Sequence, residues 1–442
     1  MRDLIVLAAV ASLVTLGFRN SFIAFLSWSW TAVSALNTYV YGFMQAVGIN
    51  QIFAMLTLAH VFLNAEYRKQ FLSLNRTGKW MTLFVLQGLI AATFAYPGFV
   101  RNLSYATDLF KILAFCLVMP IFLTNRTRIH ATLFVLALGM SFHGLLDGLK
   151  FLASGGSHLA RGVPKFGDNN HFAVMAAMVV PLTYYLAQYS AYRLLRVCFA
   201  AIALFTILAV VATHSRGGLL CIAVLGFWLI KNSRYKFASM AIVMAGAMAV
   251  VVLAPANWSE RMSTMKEASE DGSFMGRLMA WKRSSAMALE HPLVGAGLGA
   301  AAEASIYWKY ANDPGFLGFL KTPPPDGIAL VAHSIWFQVL GDMGFVGFFF
   351  FIGILANAML TRGYIRKHIK ASANGMAWAG DLADMLAVTL IAFMIGGSLV
   401  SIAYQEFTYI VVMLLEVIKQ QVIRAGTPAA GARAGNGLKG GA

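Results

Sequence analysis

The sequence predicts an all-α protein that crosses a membrane many times. Of its 442 residues, 59% are hydrophobic and 12% are charged, and the mean hydropathy is +0.70, a composition outside the range of soluble domains. Apolar runs of about 17–25 residues, the length that crosses a bilayer as a helix, recur along the chain. One long polar stretch, residues 255–332, interrupts them. We therefore expect about twelve transmembrane helices and one large loop containing short amphipathic helices.

Thirteen apolar segments are candidate spans. They are residues 4–17, 20–36, 51–64, 79–95, 104–122, 130–150, 170–188, 194–212, 217–231, 236–254, 333–358, 382–398 and 404–419. The first two are short and closely spaced, so one of them is expected to enter the membrane only part way, and the side of the N-terminus stays open. Gly396 and Gly397 predict a break between the last two segments.

These segments divide the chain into four parts. Residues 1–254 form an N-terminal transmembrane bundle, residues 255–332 the large loop, and residues 333–420 the C-terminal transmembrane helices. The tail, residues 421–442, is rich in Gly and Ala and has little apolar surface to bury, so we expect it to be disordered.

The short loops determine the predicted orientation. Alternate loops carry 19 of the 34 Lys and Arg residues, and the positive-inside rule places such loops in the cytoplasm. The large loop, the 151–169 loop and the 213–216 turn are then periplasmic, in a multi-pass protein of a bacterial inner membrane. The net charge of +16 reflects this topology and does not indicate a nucleic-acid partner.

The sequence lacks the residues that several kinds of chemistry require. The three cysteines, Cys116, Cys198 and Cys221, lie inside apolar runs, which argues against a disulfide or a metal site. The chain has no Asp-x-Asp motif, no Walker loop and no His/Glu cluster of metal-ligand spacing. We therefore expect a reaction without metal or cofactor, whose energy comes from a gradient or from a substrate such as a lipid diphosphate.

Cations on the predicted periplasmic side need a separate explanation, because orientation does not account for them. Arg161 and Lys165 lie in the 151–169 loop, Arg216 lies in the 213–216 turn, and Arg277 lies in the large loop. Guanidinium groups stay charged and bind phosphate oxygens bidentately. Three such elements on one membrane face predict a binding site for a diphosphate.

Other residues support this site, and simpler explanations stand beside it. Gly217 at a helix start lets backbone N–H groups approach an anion, and Trp281 follows Arg277 by one helical turn. Taken alone, Arg216, Arg161 and Lys165 are also explained by contact with lipid headgroups, and Arg277 by a solvated helix face. Lys282 and Arg283 are expected to face solvent.

His333 is the candidate proton acceptor, since it begins the first span after the large loop and an imidazole accepts a proton near neutral pH. The alternative is a structural role, in which the histidine caps the helix or packs against it. Asp342 lies about half a turn out of phase with His333, so it is not expected to orient the imidazole. His171 is expected only to begin a span. The glycines that follow at 341, 344 and 347 predict close helix packing.

The chain resembles the O-antigen ligase/polymerase superfamily, the WaaL-like polytopic glycosyltransferases, over roughly residues 1–420. The resemblance rests on residues 215–218, Arg277 with Trp281, residues 292–297, and His333 followed by Gly344 and Gly347. The opening residues 1–4 and the stretch 167–172, in which Asn170 is a supporting candidate, are most similar to the exosortase-associated ligases. The resemblance implies a GT-C-like fold with one large periplasmic loop.

The resemblance also implies an activity: metal-independent transfer of a glycan from undecaprenyl diphosphate to the lipid A-core, with inversion at the donor sugar. His333 would then be the essential histidine, and Arg216 and Arg277 the two essential arginines. Ser334 and Asp342 stand where many members have Asn and Glu, which leaves the acceptor open. A polymerase and a protein O-oligosaccharyltransferase remain alternatives, and a flippase or other transporter of a lipid-linked sugar is an alternative of another class.

Overall fold

The computed structural model describes residues 2–34, 36–40, 42–96, 101–162, 167–232, 237, 240, 272–324, 331–371 and 376–426. These parts of the chain are helical and contain no strand. The α-helices are Arg2–Arg19 (α1), Ser21–Val33 (α2), Ile49–Leu63 (α3), Ala65–Leu72 (α4), Arg76–Thr93 (α5), Arg101–Phe122 (α6), Arg126–Ala153 (α7), Asn169–Tyr189 (α8), Arg193–Ala212 (α9), Arg216–Asn232 (α10), Gly272–Glu290 (α11), Ala304–Tyr310 (α12), Ile335–Ala371 (α13), Ala377–Gly397 (α14) and Glu406–Gly426 (α15).

These helices occupy twelve of the thirteen predicted spans, while the segment 236–254 lies largely outside the described residues. Within the described ranges, six helices (α6, α7, α8, α9, α13 and α14) are long and apolar enough to cross a membrane, and α2 and α3 are shorter apolar helices. The chain is therefore a multi-pass helical membrane protein, as predicted. The break after Gly397 is also confirmed.

One boundary differs from the predicted one. The last helix, α15, continues to Gly426, six residues beyond the predicted end of the helical region at residue 420. The rest of the predicted disordered tail, 427–442, and the first part of the large loop, 255–271, lie outside the described residues.

The most apolar helix is the least buried. In α9 the mean hydropathy reaches 2.6 but only 28% of the apolar window is buried, whereas in α8 and α14 the value is 1.7 or lower and 78% is buried. Hydrocarbon tails are as apolar as leucine, so a lipid-facing helix has no reason to hide its apolar side chains. Helices α8 and α14 therefore form the centre of the bundle.

One end of the bundle, which we call the basic end, collects the arginines of several helix termini. Arg362 of α13 donates to Asp384 of α14 at 2.7 Å, and the Arg126 guanidinium lies 5.4 Å from the centre of the Trp378 ring. The Gln421 side chain of α15 donates to the backbone of Leu123 after α6 at 3.2 Å.

The opposite end, which we call the site end, joins the ends of α9 and α14 to the starts of α8, α10 and α13. The Asn169 side chain donates to the Thr213 carbonyl at 2.9 Å. The Ala160 N–H donates to the Ala212 carbonyl, also at 2.9 Å. The Trp336 indole donates to Ser398 at 2.8 Å. These bonds hold the predicted site segments at one end of the bundle.

Helix α13 is broken at Gly344, where φ is 66° and ψ is −168°. The break releases backbone groups from the helix, and the turn 292–297 binds them: the N–H groups of residues 296 and 297 donate to the carbonyls of Gly341 and Asp342, and the N–H of residue 345 donates to the Pro292 carbonyl, all at 2.8–3.1 Å. Gln87 of α5 donates both to the Leu293 carbonyl at 2.6 Å and to the Met343 carbonyl at 3.3 Å. The glycines of α13 thus do more than permit helix packing.

Helix α11 lies along the first turns of α13. The Trp281 and Phe337 rings stack with centroids 5.3 Å apart, and a Cβ on Gly341 would lie 3.0 Å from that of Ser284. Since residue numbers rise together along both helices, α11 and α13 run in the same direction. One turn before this stack, α11 carries Arg277 and the chain before α13 carries His333.

We predict that Gly344→Ala destabilises the protein while Gly363→Ala on the same helix does not. At 344 the backbone is left-handed, and a Cβ would lie 2.5 Å from the Pro292 carbonyl oxygen, so we expect a loss of roughly 1–3 kcal/mol. At 363 a Cβ meets nothing within 4 Å, and alanine is expected to be neutral or stabilising by up to about 1 kcal/mol. Thermal unfolding of the detergent-purified variants measures both, and equal melting temperatures would contradict the break at Gly344.

Candidate active site

His333 lies immediately before α13, with its backbone in the left-handed region at a φ of 48°. The first turn of α13 is closed by a bond of 2.8 Å from the Gln338 N–H to the Ser334 carbonyl. His214, two residues before α10, has a φ of 54°. Among the described residues these are the only non-glycine positions with positive φ, and both lie at the site end. Strained backbone of this kind concentrates at functional sites.

Four charged or titratable side chains surround His333 closely enough to change its pKa. Burial is the largest of the effects that together lower the pKa of His333 to about 4; Arg277, His171 and Arg283 also lower it, while Asp168 raises it. Burial and neighbouring cations both disfavour the imidazolium form. The imidazole is therefore neutral at neutral pH, which is the form that accepts a proton.

The prediction that residues 282 and 283 face solvent is wrong. The Arg283 side chain is buried, with 3% of its surface exposed, and its guanidinium lies 4.4 Å from the centre of the Tyr307 ring of α12. Lys282 is half-buried, and its ammonium group donates to the Leu320 carbonyl and to Thr322. The sequence does contain a signal, because Arg283 shares a helical face with the small and apolar residues 276, 280 and 287.

The start of α8 supplies the other two neighbours of His333. Asp168 is the N-cap of this helix and accepts the N–H groups of Asn170 and His171 at 2.9 Å each. The same carboxylate oxygen accepts a bond of 2.7 Å from Nδ1 of the His171 ring. This bond from the His171 ring is the main reason that the pKa of Asp168 lies well below its usual range. His171 begins a span, as predicted.

The structure brings some of the predicted phosphate ligands together and leaves others apart. Arg277 is a neighbour of His333, and Trp281 stacks on Phe337 one turn away. Arg216 begins α10 at the site end, and a Cβ on the adjacent Gly217 would lie 3.6 Å from Leu399, next to the Ser398 that binds the indole of α13. No contact between Arg216 and His333 is described.

Of the remaining predicted ligands, Arg161 and Asn170 are described. Arg161 is exposed, on a segment that the Ala160–Ala212 bond ties to the turn before Arg216. Lys165 lies outside the described residues. Asn170 is half-buried in the first turn of α8.

Asp342 is a structural anchor and does not orient His333. Its buried carboxylate accepts a bond of 2.9 Å from the Tyr404 hydroxyl. The backbone N–H groups of Gly299 and Ala300 bind the same carboxylate. The expectation that Asp342 is not the partner of the imidazole agrees with these contacts, which fix the chain that follows the docked turn.

A cavity of about 750 Å³ lies beside the histidines, between α2, α3, α6, α13 and α15. Several of its polar lining residues lie at the starts of their helices: Asn50, Gln51, His171, Gln338 and Glu406. Asp108 and Lys111 of α6 and Asp342 of α13 lie two to three turns further along. The lining becomes apolar further along the helices, at residues such as Phe115 and Ile410. Phe115 is roughly 20 Å from the start of α6 at 1.5 Å per residue. The cavity therefore has a polar mouth at the site end and an apolar interior.

No metal ligand set occurs in the described part of the chain, where no three His, Cys, Asp or Glu side chains are grouped closely enough to hold an ion. Cys116 and Cys221 are buried, Cys198 is exposed, and none of the three forms a disulfide.

The fold and site define a multi-pass helical membrane protein with a half-buried histidine that feels the charges of two arginines at one end of the bundle. Comparison with known families then points to its class: residues 200–352, about a third of the chain, match the family model described as O-antigen ligase. The match supports a glycosyltransferase-type enzyme of polysaccharide assembly. The matched range includes Arg216, Arg277 and His333.

The resemblance found in the sequence is confirmed at the level of the superfamily, while the exosortase-associated group stays a prediction. Residues 1–191 match a family of unknown function, DUF5935. A comparison with curated proteins found no match to this chain.

We predict that His333→Asn preserves the thermal stability of the protein, whereas His333→Val lowers it. Asparagine adopts left-handed backbone readily, but a β-branched residue there is a genuine outlier, with a cost of roughly 1–3 kcal/mol. The same pair of substitutions at His214 is expected to behave alike, since its φ is 54°. If valine is tolerated at 333 as well as asparagine is, the backbone before α13 is not left-handed.

Proposed function

We propose that the protein transfers a glycan from undecaprenyl diphosphate to an acceptor hydroxyl at the periplasmic face of the bacterial inner membrane, without metal or cofactor. The lipid A-core is the acceptor that the family resemblance favours, which makes the protein an O-antigen ligase. The observation that carries the proposal is that His333 lies close enough to Arg277 and Arg283 of α11 to feel their charges, beside a cavity with a polar mouth and an apolar interior. A growing glycan or a protein as acceptor would make it a polymerase or a protein O-oligosaccharyltransferase.

The donor has a polar diphosphate head and an apolar prenyl tail, and the cavity has a polar mouth and an apolar interior to match them. The prenyl chain lies in the apolar interior among α2, α3 and α6, and the diphosphate lies at the mouth. Arg277 and Arg216 bind the diphosphate oxygens, with Arg161 at the outer edge. Buried Arg283 adds positive potential that is fixed in place before the donor arrives, so little reorganisation is needed as the leaving group gains charge.

The chemical step requires an acceptor oxygen that loses its proton as it attacks the anomeric carbon. Neutral His333 accepts this proton, and the bond between the anomeric carbon and the diphosphate oxygen breaks on the opposite face of the sugar, which inverts its configuration. The leaving diphosphate stays paired with the arginines. No nucleotide is consumed, because the diphosphate bond of the donor supplies the free energy.

We predict that Arg277→Ala and Arg216→Ala weaken donor binding by about 10- to 100-fold, the value of one or two hydrogen bonds to a charged group. Lysine at either position is expected to restore binding only partly, because an ammonium group lacks the planar fork. Arg193→Ala is the matched control, since Arg193 is exposed at the start of α9 and lies away from the site end. Donor binding is measured with an undecaprenyl diphosphate-linked oligosaccharide, and full activity of both lysine variants would exclude bidentate binding.

We predict that His333→Asn lowers the single-turnover rate by roughly 10²–10⁴-fold and leaves donor binding intact. In the wild type, kcat/KM is expected to stay level from pH 8 to pH 5 and to fall only near the His333 pKa of about 4. Arg277→Gln removes a cation that lowers this pKa, so its acidic limb is expected at higher pH. Product is measured with three acceptor probes: lipid A-core, a second donor molecule and a serine-containing peptide.

Two outcomes would contradict these assignments. If His333→Asn binds donor poorly but transfers at the wild-type rate once saturated, His333 is an anion contact. If reconstituted protein moves the lipid-linked oligosaccharide across the bilayer without covalent product from any probe, the protein is a transporter.

A further inference from the structure

His171 is a second imidazole at the mouth of the cavity, and its ring is held in a defined orientation. Nδ1 donates to Asp168 Oδ1 at 2.7 Å, so Nε2 is the nitrogen that accepts a proton. Gly167, with a left-handed φ of 74°, places its backbone against the ring: a Cβ there would lie 3.1 Å from the His171 Cγ. An imidazole oriented by a carboxylate on its far nitrogen is the arrangement that stabilises an imidazolium.

This pair lies beside the candidate base. His171 lines the cavity together with Ala332, the residue before His333, and the charges of His171 and Asp168 both act on His333. The side chain of Asp168 is 51% exposed, whereas that of His171 is only 17% exposed. The pair therefore connects the mouth of the cavity to solvent.

His333 has the opposite surroundings. The charges of Arg277 and Arg283 act on it, and within the described ranges no carboxylate hydrogen-bonds its ring. Once protonated, it would be a half-buried cation near two arginines, which is an unfavourable state. A base in this position has to release its proton before the next turnover, and the nearby Asp168–His171 pair is the better acceptor.

We propose that His171, paired with Asp168, receives the proton that His333 takes from the acceptor hydroxyl and delivers it to water. This inference rests on the proposed function, because it presupposes His333 as the base. The acceptor oxygen forms a bond to the anomeric carbon, and the bond from that carbon to the diphosphate oxygen breaks with its electron pair. The proton passes from the acceptor to His333, then to Nε2 of His171, and the His171 imidazolium loses a proton to bulk water. Asp168 stays ionised throughout.

The chain contains a matched control for this pair. His158 Nε2 lies 3.1 Å from Asp147 Oδ1, so it has the same chemistry, but neither residue lines the cavity beside His333. His158→Ala is therefore expected to leave transfer unchanged. Asp168→Asn is a second useful variant, because asparagine is as good an N-cap as aspartate and removes only the charge.

The experiment is steady-state transfer from an undecaprenyl diphosphate-linked oligosaccharide, in weak buffer, with the acceptor probe that the wild type uses. We expect His171→Ala to lower turnover by roughly 10-fold or more without weakening donor binding, and added imidazole to restore turnover in a saturable way. Asp168→Asn is expected to be slower than the wild type, with an unchanged melting temperature. The solvent deuterium isotope effect is expected to rise in His171→Ala, because proton release becomes limiting.

Three results would overturn the proposal. Wild-type turnover in His171→Ala in weak buffer excludes His171 from the proton path. A slow His171→Ala enzyme that imidazole does not restore, with an unchanged isotope effect, assigns His171 to the structure of α8 alone. Retention of transfer by His333→Asn would instead contradict the proposed function itself, so the two failures are distinguishable.

Discussion

The docking of the 292–297 turn onto the broken backbone of α13 is the interaction on which the site depends. Gly344 interrupts the helix, and its released carbonyl and N–H groups would be unsatisfied inside the bundle without the turn and Gln87. Each such group costs several kcal/mol in hydrocarbon, so the turn has one favourable position. Helix α11 leads into this turn, and its arginines are thereby held at the level of His333.

The arginines of α11 that we propose to stabilise a bound diphosphate work against protonation of His333. Arg277 and Arg283 make the site electropositive before any donor binds, and they also disfavour protonation of His333. The consequence is that the His333 imidazole is neutral at neutral pH and that its protonated form is disfavoured. The hydrogen-bonded Asp168 carboxylate compensates for this at His171, within the same cluster. The site is therefore organised as two imidazoles with opposite electrostatic surroundings.

Much of the fold was predictable from the sequence, because apolar length is the dominant constraint on a membrane chain. The helices around Gly397 and the helix carrying Arg277 follow from such local patterns. The break at Gly344 was not predictable, since glycine also serves close packing and only the docked turn distinguishes the two uses. Burial of Arg283 was missed because its charged neighbour Lys282 suggested a solvated face. The pair Asp168–His171 is local and visible in the sequence, but its proximity to His333 depends on contacts between residues more than 150 positions apart.

The two hydrogen bonds that the Gln87 side chain donates have a consequence for how the protein is made. Gln87 belongs to α5, yet its two acceptors, Leu293 and Met343, are synthesised more than 200 residues later. A ribosome-bound chain that ends before residue 333 therefore has its arginines but neither the docked turn nor His333. The chain acquires its site arrangement only when the last third has inserted, so under the proposed function an unfinished copy in the membrane has no means of consuming the lipid-linked donor.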